Sequence, residues 1–135
     1  MNIELTNLEY RRLLDMVYIG NWILNSIRGD DRFFDYDVVE SKIFSYCKEN
    51  KMSSLVTEIG GLNIPSDKFV EGGIHEAIAD YETSIFFSIL AEELALRDMD
   101  YPPIGPDNYE ELNRRMDEYI DEFEENGIEN VSIDK

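Results

Sequence analysis

Apolar residues recur at spacings of three and four in several stretches of this chain, the pattern of helices that each bury one side. The first stretch is announced by Thr6-Asn7-Leu8-Glu9, in which Thr6 and Glu9 are placed to satisfy each other's free amide donors. Leu5 and Tyr10 occupy the two positions of a hydrophobic staple around it. The pattern predicts a helix to about Arg28, stopped at Gly29. Ten positions between Leu13 and Ile27 are apolar and wrap more than one face, so this helix is expected to be central or to lie in a subunit interface. Ile19, Trp22 and Ile23 fall outside a one-sided stripe and are the candidate oligomer interface.

A second capping-box pattern, Asp37-Val38-Val39-Glu40, predicts an outer, one-sided helix to about Asn50 that buries Val39, Ile43, Tyr46 and Cys47. Leu55 to Ile59 and Leu62 to Ile64 flank Gly60-Gly61, a hairpin signal ended by Pro65, so residues 52–73 are expected to form a small hairpin or a functional lid. The helical period returns at Ile74 and continues to about Arg97, as one helix or as two broken between Asp80 and Thr83. Its second half, Ile85 to Ala91, is apolar on nearly all sides and is expected to be the other central element.

The prolines of Tyr101 to Pro106 make a stiff connector, because proline cannot continue a helix. A third capping-box pattern, Asp107 to Glu110, opens a last helix with Tyr109, Leu112, Met116, Tyr119, Ile120 and Phe123 on its buried stripe and Asn126-Gly127 at its close. Ile3 and Leu5, and likewise Val131 and Ile133, alternate with polar neighbours, predicting short terminal strands. The expectation is a single compact, mainly α domain over residues 1–135, with four to five helices and a minor β element: a hairpin near 55–64 and the terminal strands.

Composition narrows the function. Thirty acids against 12 bases leave a formal charge of −18, which argues against direct nucleic-acid binding and against anionic membranes. Hydrophobic residues at 43% are too many for a disordered acidic chain. The most apolar stretch, Leu13 to Ile27, is short and carries Asp15, Asn21 and Asn25, so no membrane span is expected. One cysteine, Cys47, excludes an internal disulfide and fits a reducing cytoplasm.

Catalytic patterns find little support. His75-Glu76 resembles the start of a zincin helix, but Ala79 stands where the second histidine would be, and the chain has no other histidine. Asp30, Asp31, Asp35 and Asp37 crowd one loop and are candidates for a hard cation, without EF-hand spacing; a carboxylate-rich, metal-dependent enzyme is one alternative reading. Cys47 and the serines lack a nucleophile pattern, and Gly60-Gly61 and Gly72-Gly73 lack the surroundings of a phosphate loop. Arg28-Gly29-Asp30 and the Pro103/Pro106 pair are explained by a helix end and a connector. No cofactor is expected.

Charge is unevenly spread: −2 over residues 1–51, −8 over 52–100 and −8 over 101–135. In the last helix Asp117, Asp121 and Glu124, and again Glu118, Glu122 and Glu125, follow i, i+4, i+7 spacing. They form two adjacent carboxylate rows opposite the apolar stripe. Arg114 and Arg115 can pair with Glu110 and Glu111, but no base within the helix follows Arg115. Solubility is one explanation for the rows, and recognition of a basic partner is the other. Carboxylates about 6 Å apart along a helix approach phosphate spacing, which makes a nucleic-acid mimic that inhibits a nuclease or DNA-binding protein an alternative reading.

The segment Leu5-Thr6-Asn7-Leu8-Glu9-Tyr10-Arg11-Arg12-Leu13-Leu14-Asp15-Met16-Val17-Tyr18-Ile19-Gly20-Asn21-Trp22 resembles a group of small acidic bacterial proteins of unassigned function. The resemblance covers this helix, implies a bacterial cytoplasmic protein and brings no catalytic motif. The leading expectation is a non-enzymatic protein–protein interaction module, with an acidic last helix and a homodimer interface on the first.

Overall fold

The computed structural model describes residues 1–134 and is mainly helical, with one small antiparallel hairpin. In order, the elements are α1 (Asn7–Asn25), α2 (Phe34–Phe44), β1 (Val56–Ile59), β2 (Leu62–Pro65), the short α3 (Asp67–Phe69), α4 (His75–Asp98) and α5 (Tyr109–Asn126). They group into two compact units, Met1–Ile78 and the chain from Ala79 onward.

In the first unit α1 starts as its sequence predicts. The Thr6 amide donates to Glu9 Oε2 at 2.8 Å, and the Glu9 amide donates to Thr6 Oγ1 at 3.2 Å. The helix ends at Asn25, before the predicted Arg28, because Asn25 turns its side chain to the next segment. Its Oδ1 accepts from the Phe33 amide at 2.8 Å and its Nδ2 donates to the Phe33 carbonyl at 3.1 Å.

That clamp moves the start of α2 to Phe34, and the predicted Asp37 capping box does not form. Asp37 lies inside the first turn and pairs with Arg32. The inward face of α2 is rotated accordingly. Glu40, Ser41 and Phe44 are buried, with Cys47 in the 3-10 turn that follows, whereas Val39 and Tyr46 are exposed. The helix also stops at Phe44, short of Asn50.

The core of this unit is Tyr10, Leu14, Phe44, Cys47, Val56 and Phe69. The Phe69 ring meets Phe44 and Tyr18 edge-on, with centroids 5.2 and 5.3 Å apart. The hairpin predicted around Gly60-Gly61 is present, pairing Val56 with Pro65 and Ile59 with Leu62. Both turn glycines have positive φ, +60° and +81°, which glycine adopts without a Cβ penalty. The Asn63 amide donates to Ser41 Oγ at 2.9 Å and fixes the hairpin against α2. Ser66 then caps α3, and a wide turn over Val70–Ile74, with Gly73 at φ +110°, delivers His75 to the head of α4.

In the second unit α4 passes through Asp80 to Thr83 without a break. Ala91 and Ala95 are fully buried, as are most of Leu112 and Phe123 on α5. The expectation that Ile85 to Ala91 is enclosed on all sides is not met, since Phe86 and Ile89 are exposed. The predicted capping box of α5 is also absent. Asn108 holds the cap position but spends its side chain on the proline connector, accepting from the Gly105 amide at 2.9 Å and donating to the Pro103 carbonyl at 3.0 Å. Gly127 closes α5 at φ +58°. The predicted terminal strands do not form: residues 1–6 and 131–134 have no strand partner.

Candidate functional site

The first unit carries a concavity of about 190 Å³ lined by Tyr18, Asn21, Trp22, Asn25 and Ser26 of α1 and the residue after it, Arg32, Glu40 of α2, and Ile64, Pro65 and Val70. Each wall follows from the local folding described above. Asn21 and Asn25 lie one turn apart on the buried side of α1, where Asn25 Nδ2 donates to Asn21 Oδ1 at 2.6 Å. Asn21 Nδ2 in turn donates to Asp37 Oδ1 at 2.9 Å. Asp37 also receives Arg32, Nε to Oδ2 and Nη2 to Oδ1, both at 2.6 Å. This fork satisfies the guanidinium and the carboxylate together, and the Arg32 contact holds the Asp37 carboxyl below the usual carboxylate range.

Glu40 is different. Its residue is only 8% exposed, and the donor beside its carboxyl is the Asn21 side chain, whose Nδ2 is shared with Asp37. Burial pushes its pKa up to about 7; Asn21 and Arg32 oppose the rise and the neighbouring Asp37 charge adds to it. No fully enclosed side-chain nitrogen or oxygen lacks a partner among the described residues, so the Glu40 carboxyl is not a sealed, unpartnered group.

Tyr18 and Trp22 stand on the opposite wall, braced by His75. Tyr18 Oη and His75 Nε2 are 2.6 Å apart, and the Trp22 and His75 rings meet edge-on at 5.5 Å. Burial, and secondarily the Glu40 charge, raise the Tyr18 pKa. His75 is therefore part of an aromatic brace. None of this was read from the sequence, although a signal was present: two asparagines one turn apart in an otherwise apolar helix.

The sequence-predicted sites lie elsewhere. Ile23 is exposed on α1, Ile19 is half-buried, and Trp22 turns to the concavity. Of the four loop aspartates, Asp31 pairs with Arg28 at 3.0 Å and accepts from the Gly29 amide, and Asp37 pairs with Arg32. Asp30 and Asp35 are exposed, and no three His, Cys, Asp or Glu side chains converge on a metal-sized site among the described residues.

On α5, Asp117, Glu118, Asp121, Glu124 and Glu125 are exposed and Glu122 is half-buried. Arg114 bonds Glu118 at 2.6 Å and Glu111 at 2.9 Å, and Arg115 bonds Glu111 at 2.7 Å. Glu122 accepts from Asn126 and Asn130. Asp117, Asp121, Glu124 and Glu125 have no ion pair among the described residues. A wider groove of about 450 Å³ beside α5 has its polar groups already engaged, with Arg97, Asp98 and Tyr119 bonded to one another.

Among the described residues no helix is long and apolar enough to cross a membrane. No protein-family model, curated protein or solved structure matches this chain.

Proposed function

We propose that the protein works by association with protein surfaces, and that its first partner is a second copy of itself, met through α1. The observation that carries this reading is an exposed row on that helix and the turn after it: Met16 at 70% and Ile23 at 53% exposure with Gly20 between them, then Ile27 at 84% just beyond the helix end. Within the helix, the four-three spacing of Met16, Gly20 and Ile23 is that of a two-helix seam. Nothing lies within 4 Å of the place a Gly20 Cβ would occupy, so a partner helix can come close there. An apolar row of this kind on a water-facing helix is characteristic of an interaction surface.

Charge favours this location. Residues 1–78 hold 13 acids and 8 bases, and residues 79–135 hold 17 and 4, so two copies repel least when they meet through the first unit. Light scattering over a wide concentration range is expected to show a dimer, and Ile23→Asp with Ile27→Asp is expected to return it to monomer. A wild-type chain that is monomeric throughout would overturn the reading.

A second reading rests on the unpaired Asp117, Asp121, Glu124 and Glu125 of α5. Such a face suits a basic partner, including a nuclease or DNA-binding protein whose groove accepts a nucleic-acid mimic. Capture of that partner would weaken with salt and disappear when Asp117, Asp121 and Glu122 become Asn or Gln. Unchanged capture by the triple variant excludes this mechanism.

A further inference from the structure

We propose that the concavity over Glu40 is a binding site for a small organic cation, a primary ammonium on a short apolar body that pairs with the Glu40 carboxylate and rests against Trp22. This site is independent of the association surfaces.

Three observations lead to it. The first is the Glu40 carboxyl, whose neighbouring donor Asn21 is shared with Asp37. The guanidinium and the amides in the wall are committed: Arg32 to Asp37, Asn21 to Asp37, and Asn25 to Asn21 and Phe33. Arg32 and Asp37 cancel one another, which leaves Glu40 as the uncompensated charge of the site. The second is the remaining wall, made of the Tyr18 and Trp22 rings with Ile64, Pro65 and Val70. Such surfaces take an apolar body, and an aromatic face also attracts a cation. The third is size. A volume of about 190 Å³ is roughly that of six waters at about 30 Å³ each, below the usual range for drug-sized ligands.

An anion is disfavoured because the one guanidinium present is already forked onto a carboxylate. A neutral apolar guest would cover the carboxyl without supplying a partner in place of water. A cation supplies what is missing, and its charge favours the ionised form of Glu40, so binding and proton release are linked. The titratable groups facing Glu40 are Tyr18 from α1, Asp37 from its own helix and Arg32 from the preceding loop. The strand β2 and the wide turn contribute only Ile64, Pro65 and Val70.

Trp22 is the sole tryptophan and lines the site, so its fluorescence reports occupancy. The probe is n-butylammonium, with n-butanol and butyrate as neutral and anionic isosteres. A saturable change in Trp22 emission is expected with n-butylammonium alone, about tenfold tighter at pH 8 than at pH 6 as Glu40 ionises. Glu40→Gln is expected to weaken it at least tenfold. Glu40→Asp, which keeps the charge but withdraws it by one methylene, should fall between the two, and it carries the test if the Gln variant has lost its helical circular dichroism. Asp117→Asn with Asp121→Asn should leave the titration unchanged.

No saturable response to n-butylammonium overturns the proposal, as does an equal response to n-butanol or to butyrate. A response that survives Glu40→Gln but is lost in the α5 variant also overturns it, assigning the effect to diffuse attraction by the acidic helix.

Discussion

Up to Ile78 the chain encloses a cluster of six apolar side chains, four of them from α1, α2 and the turn after it, together with five buried polar residues: Asn21, Asn25, Glu40, Ser41 and Ser66. From Ala79 onward the buried apolar residues are Ala91, Ala95, Leu112 and Phe123, with no buried polar residue among those described. The first unit is thus specified by polar groups that must find particular partners, and the second by apolar burial and aromatic contact such as Phe87 with Phe123 at 5.3 Å. Buried amides and carboxyls fix position because any other arrangement leaves them unsatisfied. The apolar burial of the second unit has no such constraint, and that unit carries most of the acidic charge.

The largest expected effect tests the difference in packing. Phe44 is fully enclosed, and Phe44→Ala should lose roughly 3–5 kcal/mol in urea unfolding followed by circular dichroism. Leu112→Ala in the second unit should lose less, about 2 kcal/mol. Equal losses would break the contrast.

The next concerns the polar interior. Glu40 titrates near 7 when folded, against about 4.5 for the ordinary group. Below about pH 4.5 both states hold the proton and Glu40 is neutral in its effect. As pH rises the unfolded chain ionises first, so stability falls until about pH 7 and is then level. The loss is on the order of 2–3 kcal/mol. Glu40→Gln should therefore match wild type near pH 4 and exceed it at pH 8, as read by urea midpoints at the two pH values. A constant difference between the two proteins would mean that Glu40 is not the titrating group.

The smallest effect sharpens the picture of the second unit. After α4, the Tyr101 amide bonds the Leu96 carbonyl at 2.8 Å and the Asp100 amide bonds the Arg97 carbonyl at 3.0 Å, with Asp100 at φ +64°. This is a Schellman ending with a non-glycine residue in the left-handed position. Asp100→Gly should gain about 0.5–1 kcal/mol in thermal unfolding.

The helical class, the α1 capping box and the Gly60-Gly61 hairpin were legible because each depends on contacts within a few residues. The start of α2 was not, because Asn25 reaches eight residues along the chain to hold Phe33 and outweighs the local preference of Asp37 for a cap. With the cap moved four residues, from Asp37 to Phe33, the helix has Glu40 buried and Val39 exposed. Asn21 and Asn25 read from sequence only as reasons against a membrane span. Their role depended on where α2 began, which no local pattern states. The carboxylate rows of α5 were legible for the opposite reason: helical spacing alone puts them on one face.

Cys47 has a practical consequence. It is fully enclosed, receives the Tyr10 hydroxyl at 3.4 Å, and burial raises its thiol pKa. A thiol so placed reacts with an alkylating reagent only when the packing around it opens. As the only cysteine in the chain, it makes its labelling rate a clock for opening of the first unit, with no engineered probe.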